Sequence, residues 1–203
     1  MSGPRTRNEE RGTNPDAALR ALATTLRAED TVISPHVLDP DAEPALGLLA
    51  AAGPRAERAP AEYSLLVESV REGYLLHYGE PRLLDTGDRD LALLAGDYLY
   101  ALGLERLAKL GDGDAVAELS DLISLCAELH AEDHAQLTAP LWLACVSAVG
   151  GGGSEQLEHA KSAARALDTD ATRLLWESAE AIAGARSGPL ARGAEAIDFT
   201  PPR

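Results

Sequence analysis

Apolar residues recur along this chain at intervals of three and four, the spacing that gathers side chains on one face of an α-helix. Leu19, Leu22, Ala23 and Leu26 make the first such run, and Asn14-Pro15-Asp16 just before them supplies a helix start. Ile33-Ser34-Pro35-His36 interrupts the pattern, and Ala45 to Ala52 reads as a short apolar helix closed by Gly53-Pro54. A loop follows over Arg55 to Pro60. Leu65, Leu66, Val70 and Leu75 then mark a helix from Ala61 to about Tyr78. Gly79-Glu80-Pro81 ends it, because proline lacks a donor and clashes with the preceding turn. Asp88 or Asp90 is placed to cap the next helix, Leu91 to about Leu110. Apolar residues run nearly all the way round it, which predicts a central, buried helix.

Gly111-Asp112-Gly113-Asp114 is a tight connection into a helix from about Ala115 to His134, and another runs from Leu137 to Val149. The four glycines at 150 to 153 read as a flexible linker: no Lys-Ser/Thr follows and no strand precedes, so a phosphate loop is excluded. Two short helices are predicted, Glu155 to Ala166 and Thr169 to Ala183. The tail from Arg186 has no helical period and is expected to be extended or loose. Residues 1 to 14, polar and charged, read as a disordered arm. No segment has a strand period and none repeats. The pattern defines an all-α fold, a helical bundle over residues 15–185, between that arm and an extended tail over 186–203.

Composition agrees with this reading. Alanine and leucine dominate and aromatics are 4% of the 203 residues; both favoured residues lose little entropy in a helix. No stretch reaches the roughly 18 consecutive apolar residues of a membrane span. The opening MSGPRTRNEERGTNPD lacks the apolar core of a secretory signal. A cytoplasmic location is therefore expected. A net charge of −15 and a pI near 4.6 repel phosphate backbones and anionic membrane surfaces, so no nucleic acid partner is expected. Cys126 and Cys145 lie in apolar helical stretches and read as buried thiols in a reducing compartment. His130 and His134, four apart beside Glu132 and Asp133, share a helix face. Zinc would need a further ligand, so a solvated helix end is the simpler reading and no metal site is assigned. Trp142 and Trp176 read as core or interface anchors.

The string Leu94-Ala95-Gly96-Asp97-Tyr98-Leu99 changes the picture. It resembles the "LAGDYL" signature of trans-polyprenyl diphosphate synthases. Gly79 and Pro81 stand seventeen and fifteen residues before Gly96, where that family places a Gly-Arg-Pro turn. Glu105, Leu107, Ala108, Leu110-Gly111-Asp112 and Ser120 match its continuation without a gap. The resemblance covers roughly Pro40 to Ala148 and implies a truncated isoprenoid synthase fold. It marks Gly96, Asp97, Tyr98 and Leu99 as the family signature. Without kinship, Asp97 and Tyr98 read as a structural pair whose polar ends are satisfied inside the bundle.

Family members ionise an allylic diphosphate held by magnesium on two DDxxD-type motifs. Counted back from Gly96, the first motif falls on Glu68-Ser69-Val70-Arg71-Glu72, so Glu68 and Glu72 are its relic. The second has no counterpart through Ala163 to Arg173. Pro40-Asp41-Ala42-Glu43-Pro44 replaces the cations for isopentenyl diphosphate; His77 and Tyr78 align with paired arginines, Leu129 and His130 with a Gly-Glu pair, and Leu137-Thr138 with a Lys-Thr pair. The resemblance therefore implies no catalytic residues and no cofactor, magnesium being left to a catalytic partner. The chain resembles the small, motif-poor subunit of heteromeric polyprenyl synthases in being short, helical and without DDxxD. Partnership with a catalytic prenyl diphosphate synthase, or a homodimer, is the expected role. A stand-alone isoprenoid binder or diverged enzyme, using Glu68, Glu72 and Asp97 as acid–base groups, is the alternative.

Overall fold

A computed structural model describes residues 14–202 of the chain. The expected arm thus lies, Asn14 aside, outside the described residues. The helices are α1 (Ala18–Ala28), α2 (Ala45–Ala51), α3 (Pro60–Tyr78), α4 (Arg89–Lys109) and α5 (Gly113–Ala131), then α6 (Thr138–Gly151), α7 (Glu155–Arg165), α8 (Ala171–Ala183) and α9 (Ser187–Ala196). Among the described residues no strand forms; one isolated bridge pairs Val37 with Leu84. The fold is all-α, and none of these helices is long and apolar enough to cross a membrane.

Local chemistry sets the boundaries. Pro60 opens α3 at a position where its missing N–H costs nothing. The Asp88 carboxylate accepts from Asp90 N and Leu91 N at 2.8 and 3.0 Å, so Asp88 and not Asp90 caps α4. Asp112 caps α5 through Ala115 N, and Ser154 caps α7 through Leu157 N.

Packing revises which helix is central. Helix α6 holds that place: Pro140 to Gly150 are all buried, and α2, α5, α8 and α9 pack around it. Helix α4 packs chiefly on α3 and buries Ala95, Gly96, Leu99, Gly103 and Leu107. Its opposite face leaves Leu94 59% exposed. The apolar pattern of α4 thus comes from a buried inner face and partly buried flanks, while the outer face mixes Leu94 and alanines with Asp90, Asp97 and Glu105. A second, smaller core joins α1 to the inner side of α4 and the connection before it, through Leu19, Leu22, Leu26, Leu83, Leu84 and Leu99.

Two expectations about breaks are corrected. Gly150 and Gly151 are not linker but the last residues of α6. A Cβ on Gly150 would lie 2.2 Å from the Ala50 carbonyl oxygen, and one on Gly53 would lie 2.1 Å from that of Gly150. Glycine here lets the ends of α2 and α6 touch backbone to backbone, and Gly152 leaves the helix at φ 100°. The tail is likewise not extended, since 187–196 forms α9. Leu190, Gly193 and Ala194 fall at i, i+3 and i+4 and bury against α2 and α6. Beyond it, Phe199 packs on Trp176 with ring centres 5.6 Å apart.

Candidate functional site

Helix α3 carries every residue the resemblance marks as a metal-site relic. Glu68 and Glu72 lie one turn apart, and both have no solvent exposure. Two unpaired carboxylates could not stay ionised there, because desolvating a charge costs several kcal/mol. Arg82, from the connection between α3 and α4, resolves this. Its Nη2 lies 2.8 Å from Glu68 Oε2 and its Nε 3.1 Å from Glu72 Oε2. Peptide groups take the remaining oxygens. Gly47 N donates to Glu68 Oε1 at 2.7 Å, while Arg82 N and Leu83 N donate to Glu72 Oε1 at 2.7 and 2.6 Å. Gly47 stands in the first turn of α2, whose N–H groups lack helical acceptors, so the carboxylate also meets a helix N-terminus. Burial would lower the Arg82 pKa, but Glu68 and Glu72 outweigh it and hold it above the ordinary value.

Magnesium does not fit this arrangement. It requires near-octahedral oxygen ligands and retains waters, whereas here a guanidinium lies against one oxygen of each acid and peptide N–H groups donate to the other. No group of three or more His, Cys, Asp or Glu side chains is arranged to hold a metal ion among the described residues. The chemistry is that of a salt-linked clamp joining α2, α3 and the α3–α4 connection.

Next to the clamp lies an aromatic layer, most of whose members the sequence marks one by one but does not bring together. The Arg71 guanidinium sits over the rings of Tyr74 and Trp142, 4.9 and 5.0 Å from their centres. Burial lowers the Arg71 pKa, and stacking on two rings offsets part of that desolvation. Tyr74 Oη is 2.9 Å from His130 Nε2 and donates to Thr138 Oγ1 at 3.1 Å. Tyr78 stacks on His130 at 4.0 Å, and His77 stacks on Tyr100 at 5.3 Å. Burial lowers the His130 pKa and pushes the Cys126 thiol, beneath this layer, up to about 12. The structure thus brings together Arg71, His77, Tyr78, His130 and Thr138 from α3, α5 and α6. It does not bring His134 to His130. Helix α5 ends at Ala131, and His134 turns instead toward the Gln136 amide at 3.1 Å.

The signature residues divide. Gly96 allows close packing of α3 on α4: a Cβ there would lie 2.6 Å from His77 Nε2 and 3.1 Å from the Gly73 carbonyl. Leu99 is core, and its carbonyl accepts from Ser69 Oγ at 2.9 Å. Tyr98 reaches outward and donates to Glu29 Oε2 at 2.7 Å, and burial with this bond pushes its pKa up to about 12. Asp97 lies on the outer face of α4, its side chain 74% exposed, with Oδ1 3.2 Å from His77 Nε2. Asp97 and Tyr98 are therefore not a pair satisfied inside the bundle. Comparison with protein-family models, with curated proteins and with solved structures finds no match to this chain.

Proposed function

We propose that this chain is a non-catalytic helical protein that acts by pairing with a catalytic prenyl diphosphate synthase, which supplies the magnesium and the chemistry. The observation that carries the non-catalytic half is the clamp: Glu68 and Glu72 are both consumed by Arg82 and by peptide N–H groups. Neither glutamate of that pair is free to hold a metal diphosphate. The partner half rests on the Leu94–Leu99 resemblance and on an α4 whose outer face carries an uncovered leucine. The reading as a diverged acid–base enzyme requires Glu68, Glu72 and Asp97 to face one space. Asp97 lies on the outer surface of α4, and the two glutamates lie beneath it in the core.

Co-expression with the full-length prenyl diphosphate synthase of the same cell, followed by size exclusion with light scattering, tests the proposal. A stoichiometric complex is expected, with prenyl transfer absent from this chain alone and its product length altered in the pair. Prenyl transfer by the isolated chain, or two proteins that elute separately, overturns it.

A further inference from the structure

We propose that the outer face of α4 receives a cationic amphipathic helix of a different protein, and that its own carboxylates exclude a second copy of this chain. The proposal rests on the partner-binding reading above and names the chemistry of the partner. Asp90, Leu94, Asp97, Ala101, Glu105 and Ala108 are all exposed, and their spacing of three and four places them on one stripe. Leu94 is 59% exposed, and the alanines allow a second helix to lie close. Three carboxylates border or interrupt these apolar positions, with the side chains of Asp97 and Glu105 74% and 60% exposed.

The cations of α4 do not balance them. Arg89 donates to the Leu76 and His77 carbonyls at the end of α3, and Arg106 pairs with Glu62 at 3.0 Å. Lys109 alone lies near the stripe, bound to Glu105 at 2.8 Å. Three carboxylates therefore stand against one ammonium of α4 and the His77 ring of α3, 3.2 Å from Asp97. A two-fold antiparallel pairing centred on Ala101 would set Asp97 against Glu105 of the second copy, and a parallel pairing would set Asp97 against Asp97. Like charges brought together at an interface are unfavourable, and each copy carries −15 overall. A partner helix with leucines at the same spacing, flanked by lysine or arginine, meets the apolar positions and the acids together.

Two measurements decide it. Sedimentation velocity of the wild-type chain is expected to show a monomer. A dimer that L94E dissociates overturns the choice of occupant, yet leaves the non-catalytic reading to be judged by the prenyl transfer assay. Fluorescence anisotropy then uses a synthetic helical peptide of leucines at three–four spacing flanked by lysines, beside a scrambled peptide of equal composition. Binding to the patterned peptide only is expected. The D97K/E105K variant is expected to weaken it by about tenfold or more, equivalent to ~1.4 kcal/mol. E180K/E195K, of equal net charge but on α8 and α9, is expected to change it less than about twofold. Equal loss in both variants, or equal binding of the scrambled peptide, reduces the effect to bulk charge and overturns the proposal.

Discussion

At the scale of single residues, Arg82 matters most, because two solvent-inaccessible carboxylates depend on it. Removing one partner of a buried ion pair leaves an uncompensated charge at a cost of about 3–5 kcal/mol. R82M is expected to lose stability on that scale in urea denaturation. Arg173, which pairs with Asp170 and Glu177 on the surface, is the contrast: R173M is expected to lose less than about 1 kcal/mol. Equal losses would refute the clamp. His130 offers a pH test. Its pKa is lowered in the fold by burial, so the unfolded chain binds the proton more readily. The neutral ring's contribution is then complete above the unfolded value of about 6.5 and lost as pH falls through the lower folded value. The melting-temperature advantage of wild type over H130Q is expected to shrink from pH 8 to pH 5; an advantage that grows on acidification would contradict the sign. Glu68 and Glu72 were legible as a pair, since their spacing puts them on one helix face. Arg82 was not, because it depends on how the connection after Gly79 folds back.

Among elements, the ends of α2 and α6 meet backbone to backbone at glycine. A methyl at Gly150 would meet backbone that cannot rotate away, 2.2 Å from the Ala50 carbonyl oxygen. G150A is expected to cost about 1–3 kcal/mol or more, the range for overpacked cores. At Gly188, in the first turn of α9, a Cβ meets nothing within 4 Å. G188A is expected to be neutral or to gain about 0.5 kcal/mol from better helix propensity. Calorimetry of the two variants separates packing from propensity, and a harmless G150A would refute the close contact. The same glycines explain where local pattern failed. Four in a row carry no period, so they read as a linker, although close approach of two backbones also selects glycine. Helix α9 escaped for a related reason: it packs through only Leu190, Gly193 and Ala194, too few apolar positions to stand out from a tail. The helices with a long apolar period, α3 to α6 and α8, were placed within a few residues. What periodicity withheld was which of them sits at the centre, because burial of a uniformly apolar helix depends on its neighbours.

For the molecule as a whole, charge is the governing quantity. A compact domain of this length has a radius of gyration of about 17 Å, while the Debye length is ~30 Å at 0.01 M salt and ~8 Å at 0.15 M. At low salt every acid therefore acts on every other across the fold, and the −15 excess opposes the compact state. At physiological salt that repulsion is confined to neighbours. The favourable pairs with a buried partner are screened less: Glu68 and Glu72 on Arg82, and Lys161, 2% exposed, held by Asp121 at 2.8 Å. Screening thus removes more repulsion than attraction. Adding sodium chloride from 0.01 to 0.15 M is expected to stabilise the fold by about 1 kcal/mol, or roughly 2–4 °C in Tm for a domain of this size. A Tm that falls with salt would mean that exposed pairs such as Arg27–Asp39 carry more of the stability than buried ones. The outer face of α4 obeys the same rule with the opposite outcome. A cationic partner of the kind proposed would gain from the excess that costs the isolated chain, so salt that stabilises the isolated chain is expected to weaken such a complex.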